Sequence, residues 1–223
     1  MQKFDTPAPV TVVLDVPAGL VHFIAADRTD TVVDLRPADP AKGRDAKAVE
    51  QTEVSYVDGV LRIVTDSAAH RLIGPSGALE VTVRLPSGSK VEAKSADARL
   101  RGVGRLGDVS FESARGSVKL DEASAASLTL QDGSIEVGRL TGPGGLSTQR
   151  GDLTVTEAVR GPLDLTTRSG SISVGVARGV SAALDAGTGH GRIHNALRNA
   201  DDAPAVTIRA TTAHGDISAA TAA

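Results

Sequence analysis

The chain has 223 residues, a formal net charge of −3 and aromatic side chains at only 2% of its positions. The lack of a basic excess argues against a general nucleic-acid-binding protein. The absence of cysteine excludes disulfides, thiolate zinc sites and cysteine nucleophiles. With so few aromatic residues, the core must consist of Val, Leu, Ile and Ala, and the 24 glycines favour short strands joined by tight turns.

The N-terminal part, residues 1–88, is predicted to be β-rich. Its predicted strands are residues 10–16, 20–25, 31–35, 54–56, 60–65 and 79–85. Asp58-Gly59 lies between two of them and is typical of a tight β-hairpin. One helical turn is expected near residues 45–50. The first residues lack the apolar stretch of a secretory signal, and no run of the chain is apolar enough for a membrane span. We therefore expect a cytoplasmic protein.

From residue 91 onward, a unit of glycine, a polar residue and alternating aliphatic residues recurs. The copies start at Ala98, Gly116, Gly133, Gly151, Gly170, Gly191 and Gly215. Two residues after each start stands an aliphatic residue, in order Leu100, Val118, Ile135, Leu153, Ile172, Ile193 and Ile217. Aliphatic and polar residues alternate around these positions with the period of two that a strand requires.

This repeat predicts the fold class. A helical repeat is excluded because no 3.6-residue period survives, and a propeller blade would need about twice the length of one copy. Copies that cannot bury their apolar faces alone form a continuous core when they are stacked. The sequence therefore predicts an all-β protein. Residues 89–223 would form a parallel, right-handed β-solenoid of about seven coils, and residues 1–88 would cap its first coil.

Three sequence features carry a family resemblance. They are Leu-Asp-Val-Pro-Ala-Gly at residues 14–19, Leu-Pro-Ser-Gly at residues 85–88 and the Gly-Ser/Asp-aliphatic repeats. Together they resemble a bacterial, chiefly actinobacterial, family of adhesin-like β-strand-repeat proteins of unknown function. The resemblance implies a fold rather than an activity, and it carries over no catalytic residues.

His190 and His214 each directly precede a repeat glycine, so they are predicted to be neighbours on adjacent coils, about 5 Å apart. Two adjacent imidazoles could share a divalent metal or respond to pH. The alternative, which we favour, is a pair of solvated surface histidines with no metal. His194 is too far along its strand to complete such a site. Asp216 is expected to pair with Arg192, and no cofactor is predicted.

Charged residues alternate in the column that directly precedes the repeat glycine. The column reads Asp97, Arg115, Asp132, Arg150, Ser169, His190 and His214. Opposite charges on successive coils would fix the register of neighbouring strands. A second motif, Gly102-Val-Gly104-Arg-Leu-Gly107, matches the dinucleotide-binding fingerprint. That fingerprint functions only before a helix, and a strand is predicted next, so these glycines are interpreted as turn residues.

The sequence favours a non-enzymatic scaffold that binds a partner protein or associates with itself, for example as a homodimer. The predicted interaction residues are Ile217, Ser218 and Ala219 of the last copy, because an uncapped final coil would leave an unpaired strand edge. Asp216 is the only charged residue after residue 209, so this edge is poorly guarded. A carbohydrate-active enzyme and a ligand- or metal-sensing solenoid remain as alternatives.

Overall fold

The structure is a computed structural model that describes residues 1–66, 77–199 and 203–222. The chain divides into two compact units, Met1–Gly116 and Ser117–Ala223. The boundary expected after residue 88 therefore lies inside the first unit. Both units are built almost entirely of strands, with one short helix among the described residues.

The first unit begins with three strands, a helix and a hairpin. Its elements are β1 (Gln2–Asp5), β2 (Thr11–Ala26), β3 (Asp30–Pro37), α1 (Gly43–Glu50), β4 (Thr52–Val57), β5 (Val60–Thr65), β6 (Leu79–Pro86) and the first part of β7 (Lys90–Asp132). The strands predicted for this segment are confirmed, although those at 10–16 and 20–25 form one continuous strand. The helix is longer than the single turn expected.

Strand β2 organises the first unit. It pairs in parallel with β5 and β6 along one side and with the first part of β7 along the other. Gly19 lies opposite Ala98, the start of the first repeat copy. The N-terminal segment thus already contains strands in the register of the repeat. Antiparallel strands β3 and β1 follow beyond β6.

The predicted hairpin is also confirmed. Strands β4 and β5 pair antiparallel, and Val57 lies opposite Val60 across the Asp58-Gly59 turn. Asp58 and Gly59 have φ angles of 50° and 79°. Positive φ at both central residues is the geometry that Asp-Gly favours in two-residue hairpins.

The described residues of the second unit form the rest of β7 and nine further strands. These are β8 (Ile135–Leu140), β9 (Gly144–Arg150), β10 (Leu153–Ala158), β11 (Gly161–Ser169), β12 (Ile172–Val176), β13 (Ala182–His190), β14 (Ile193–Ala196), β15 (Val206–His214) and β16 (Ile217–Thr221). From Gly133 onward, two strands flank each repeat glycine, and we name each such coil after that glycine. β11 and β12, for example, form the Gly170 coil. Neighbouring coils pair in parallel, as the repeat predicts.

The spatial order of these coils differs from their order in the sequence. β15 lies between β11 and β13, and β16 lies between β12 and β14. The Gly215 coil is therefore inserted between the Gly170 and Gly191 coils. The expectation that the last copy ends the stack is wrong, because the Gly191 coil takes that position instead.

The charges on neighbouring coils favour this order. Arg209 lies opposite both Asp164 and Asp185 in the paired strands, at distances of 3.9 and 3.8 Å from their carboxylates. Coils stacked in sequence order would have placed Asp164 directly against Asp185. Like charges directly opposite each other destabilise a strand pair, and opposite charges stabilise it.

The inward aliphatic side chains form the core of the second unit. Leu153, Ile172 and Ile217 are each at most 1% exposed, and each belongs to a coil with neighbours on both sides. Ile193 occupies the same position in the Gly191 coil, yet it is 47% exposed. The core is therefore left open at this coil, which among the described strands has a neighbour on one side only.

Candidate interaction edge

The open edge of the second unit is formed by the two strands of the Gly191 coil. Within the described ranges, β13 pairs only with β15, and β14 pairs only with β16. The outer sides of β13 and β14 therefore present backbone groups that no neighbouring strand satisfies. An open edge of this kind is a template for pairing with another chain.

The corner at Gly191 fixes how closely this coil approaches its neighbour. Thr188 Oγ1 donates a hydrogen bond of 2.9 Å to the carbonyl of Gly215. A Cβ atom at position 191 would lie 2.0 Å from the same carbonyl oxygen, and Gly191 has a φ of +157°. Only glycine permits this approach, so the sequence pattern itself sets the corner.

The interior coils show which backbone groups point outward at the edge. Gly215 N–H donates to the carbonyl of His190, and Ile217 N–H donates to that of Arg192, both at 2.9 Å. The corresponding N–H groups of the edge coil belong to Gly191 and Ile193. In the part of the chain that the structure describes, neither has a backbone acceptor.

One end of the edge is already covered. The Asn199 side chain accepts a hydrogen bond from Ala182 N–H and donates one to Ala182 C=O, at 2.9 and 2.8 Å. It thus occupies the position that a further strand would take there. The open part of the edge runs from Leu184 to Ala196.

Two charged residues, Asp185 and Arg192, lie on the edge coil, and each contacts an opposite charge on the neighbouring Gly215 coil. Asp185 lies 3.8 Å from Arg209. Arg192 lies 3.1 Å from the carboxylate of Asp216 and also donates its backbone N–H to Asp216 Oδ1. The hydrogen bond from the Arg192 backbone, followed by that from its guanidinium, lowers the pKa of Asp216 below its ordinary value. The predicted pairing of Asp216 with Arg192 is thus confirmed.

The predicted neighbourhood of His190 and His214 is also confirmed. Their rings are stacked with centroids 4.8 Å apart and an angle of 17° between planes, and both residues are exposed. His194 lies on the following strand, opposite Ser218. Among residues 1–66, 77–199 and 203–222, no group of three or more potential metal ligands occurs. The pair could supply two imidazole ligands and no more.

One pair of the predicted charge ladder is present, where sequence order and spatial order agree. Arg150 and Asp132 form an ion pair of 2.9 Å. Ser169 then lies opposite both Arg150 and His214, and His190 follows on the outside. The last two members are therefore exchanged relative to the predicted ladder, because the Gly215 coil is inserted.

The predicted interaction residues Ile217, Ser218 and Ala219 do not lie at the edge. Each is paired with residues on both neighbouring strands. Ile217 and Ala219 are buried, and Ser218 Oγ lies 3.3 Å from Ser173 Oγ. The inserted position of the Gly215 coil thus corrects the expectation of a free edge at these residues.

The residues that form the actual edge, above all Asp185 and Ile193, were missed by the sequence reasoning. A signal for them was available in the sequence. Asp164, Asp185 and Arg209 stand six residues before their repeat glycines, so stacking in sequence order would oppose two carboxylates. The glycines of the dinucleotide-like motif, Gly102 and Gly104, were interpreted as turn residues; they lie within strand β7, where Gly104 has a φ of 80°, and a strand follows them as predicted.

Comparison with known proteins agrees with this architecture. The profile of the family described as Toastrack DUF4097 matches residues 72–220, more than half of the chain. The chain belongs to this family. Toastrack proteins have a β-solenoid-like fold, so the family resemblance and the β-rich fold class expected from the sequence are confirmed at this level. No curated protein matches the chain.

Solved structures match this Toastrack protein over most of its length. A "putative adhesin" from Bacteroides fragilis is 11% identical with a TM-score of 0.56, covering 98% of this chain and 95% of its own. A "putative cell adhesion protein" from Clostridium sporogenes is 10% identical with a TM-score of 0.39, covering 99% and 98%. At 11% identity, the match to the Bacteroides fragilis protein shows a shared fold alone. Across the described parts of the present structure, no helix has the length and apolarity needed to cross a membrane.

Proposed function

We propose that this Toastrack protein is a non-enzymatic interaction protein that binds a partner protein through the open edge of the Gly191 coil. The observation that carries the proposal is the exposure of Ile193. It occupies the position that is buried in the interior coils, and it adjoins unpaired backbone groups. An apolar side chain beside an unpaired strand edge is the combination used in recognition by strand addition.

The adhesion named for the Bacteroides fragilis protein supports an interaction role of the same kind. The charged residues of the second unit also support it, since many are paired with opposite charges on neighbouring coils. Lys119 pairs with Glu136 at 2.7 Å, and Arg139 pairs with Glu157 at 2.6 Å. Carboxylates held in this way stabilise register and are poorly placed to act as a general acid or base.

Affinity capture from native cells, with Ile193→Lys as the test variant, examines this proposal. The matched control is Val57→Lys, because Val57 is also a large exposed apolar residue, 65% exposed, but lies in the first unit. We expect a specific protein to be retained by the native chain and the control and lost from Ile193→Lys. Equal retention by all three baits would contradict binding at this edge. The cytoplasmic location stays a prediction, which fractionation of the same cells would check.

A further inference from the structure

We infer that the partner contributes an extended segment that pairs in parallel with β13 and β14. This segment carries a basic residue in register with Asp185 and, seven positions later, an acidic residue in register with Arg192. An aliphatic residue follows the acidic one directly. The inference rests on the proposed function and specifies the chemistry of the partner.

The direction of the added strand follows from the rest of the unit. Each of the coil pairings that involve β8 to β16 is parallel. The outward N–H groups of Gly191 and Ile193 repeat those of Gly215 and Ile217, which donate to carbonyls of a parallel neighbour. A parallel segment satisfies the edge in the same way.

The charges follow from the columns of the stack. Asp164, Arg209 and Asp185 alternate in sign from coil to coil, and this column ends at the outer coil with Asp185. A second column is formed by the residues that directly follow the repeat glycines. In space it passes from Asp216 to Arg192, which ends it at the outer coil. Cross-strand pairs of opposite charge stabilise, and like charges destabilise. The next strand is therefore basic beside Asp185 and acidic beside Arg192.

The aliphatic residue follows from the open core. Ile217 lies opposite Ile193 on the inner side, in the paired strand β16. No described strand pairs with β14 on the outer side, and Ile193 is nearly half exposed. An aliphatic side chain opposite Ile193 would bury this surface, which is favourable in proportion to the apolar area removed from water. The protein itself contains a segment with this pattern of a basic, an acidic and an aliphatic residue. In residues 206–221, which pair with the inner side of the Gly191 coil, these are Arg209, Asp216 and Ile217.

A synthetic peptide with the sequence of residues 205–221 is the probe, and fluorescence anisotropy with the full-length protein is the measurement. The native peptide is expected to bind. A peptide with Arg209→Glu and Asp216→Lys is expected to bind at least about tenfold more weakly. The protein variant Asp185→Lys/Arg192→Glu should reverse this preference. Asp164→Lys is the matched control, because Asp164 contacts Arg209 from the inner coil, away from the edge; it should leave peptide binding unchanged.

The peptide must also be shown to bind at the outer side of the Gly191 coil and not to replace the protein's own Gly215 coil. A disulfide between Ser173→Cys and Ser218→Cys locks that coil in place, because the two side-chain oxygens lie 3.3 Å apart. Binding retained in the oxidised protein, with slowed amide exchange at Gly191 and Ile193, supports the inference. Binding abolished by the lock would overturn it.

Two other results would also overturn the inference. One is equal affinity for the native and charge-reversed peptides. The other is a dimer, seen by light scattering, that forms through this edge and excludes the peptide; a second copy would then be the occupant. The first result leaves the proposed function intact, whereas the second would assign the edge to a second copy in place of a partner protein. Capture with Ile193→Lys tests the proposed function separately, and equal retention of the captured protein by this variant and the native chain would contradict it.

Discussion

Ile172 and Ile217 lie side by side on adjacent parallel strands, although a complete coil, residues 182–196, separates them in the sequence. Both side chains are buried in the core of the second unit. The segment that directly follows β12 in the sequence therefore forms the outer coil, the Gly191 coil. The last segment, β15 and β16, lies between that outer coil and the Gly170 coil. This insertion decides which residues are available to a partner.

Cysteine cross-linking tests the coil order directly. The chain contains no cysteine, so an introduced pair has no competing thiol. Ser173→Cys/Ser218→Cys should form a disulfide, because paired residues on adjacent strands lie within the range that a disulfide spans. Ser173→Cys/His194→Cys should not, because β16 lies between those strands. Non-reducing electrophoresis and mass spectrometry distinguish the two, and the opposite result would restore the sequential order.

The inward and outward positions of the repeat should differ sharply in their effect on stability. Ile172 and Leu165 are each 1% exposed, and replacing either with Ala should lower the free energy of unfolding by about 2–5 kcal/mol. Ser171 next to Ile172 is exposed, and Ser171→Ala should change it by less than about 0.5 kcal/mol. Urea denaturation provides the measurement. Equal losses for the two classes would mean that the strand register is wrong.

The repeat glycine should tolerate no side chain. A Cβ atom at Gly170 would lie 2.0 Å from the carbonyl oxygen of Gly151, and Gly170 has a φ of +153°. Gly170→Ala should therefore destabilise the protein by roughly 1–3 kcal/mol or more. Gly187 is the matched control, because a Cβ there would meet no atom within 4 Å. Thermal unfolding of both variants checks this, and similar melting temperatures would contradict it.

The ion pair between Asp216 and Arg192 should make the attachment of the outer coil depend on pH. The folded-state pKa of Asp216 is lowered, chiefly by the hydrogen bond from the Arg192 backbone. A carboxyl group whose pKa is lowered in the folded state stabilises the fold fully above its unfolded-state pKa, about 3.9. This stabilisation is lost as pH falls through the folded-state pKa. Asp216→Asn should therefore be less stable than the native protein near pH 6, and the difference should shrink as pH falls below the unfolded-state pKa of Asp216. A difference in urea denaturation that does not change between pH 6 and the acid range would contradict this assignment.

The histidine pair should hold no metal in the purified protein. His190 and His214 supply two imidazoles at an exposed position, and the described parts of the chain add no third ligand beside them. Structural and catalytic zinc sites use three or four protein ligands. Elemental analysis of protein purified without an affinity tag checks this prediction. Stoichiometric zinc or nickel that is lost in His190→Ala would overturn it.

Much of the local structure could be predicted from the sequence. The Asp58-Gly59 hairpin follows from two adjacent residues that accept positive φ. The inward columns follow from the period of two, and the stacking of His190 on His214 follows from their shared position before a repeat glycine. These features depend only on residues near each other in the chain or at equivalent positions of the repeat.

The order of the coils could not be predicted from the repeat pattern. From Gly116 onward, each copy carries the same glycine corner and an aliphatic side chain two residues later, so the repeat pattern alone does not distinguish the neighbours of one coil from those of another. The sequence by itself determined the strands, the corners and the inward faces of this protein. Only the tertiary structure decided that Arg209 lies between Asp164 and Asp185 and that Ile193 is exposed while Ile217 is buried. Where the backbones of the coils are alike, the order depends on side-chain contacts between coils, and those contacts exist only once the stack has formed.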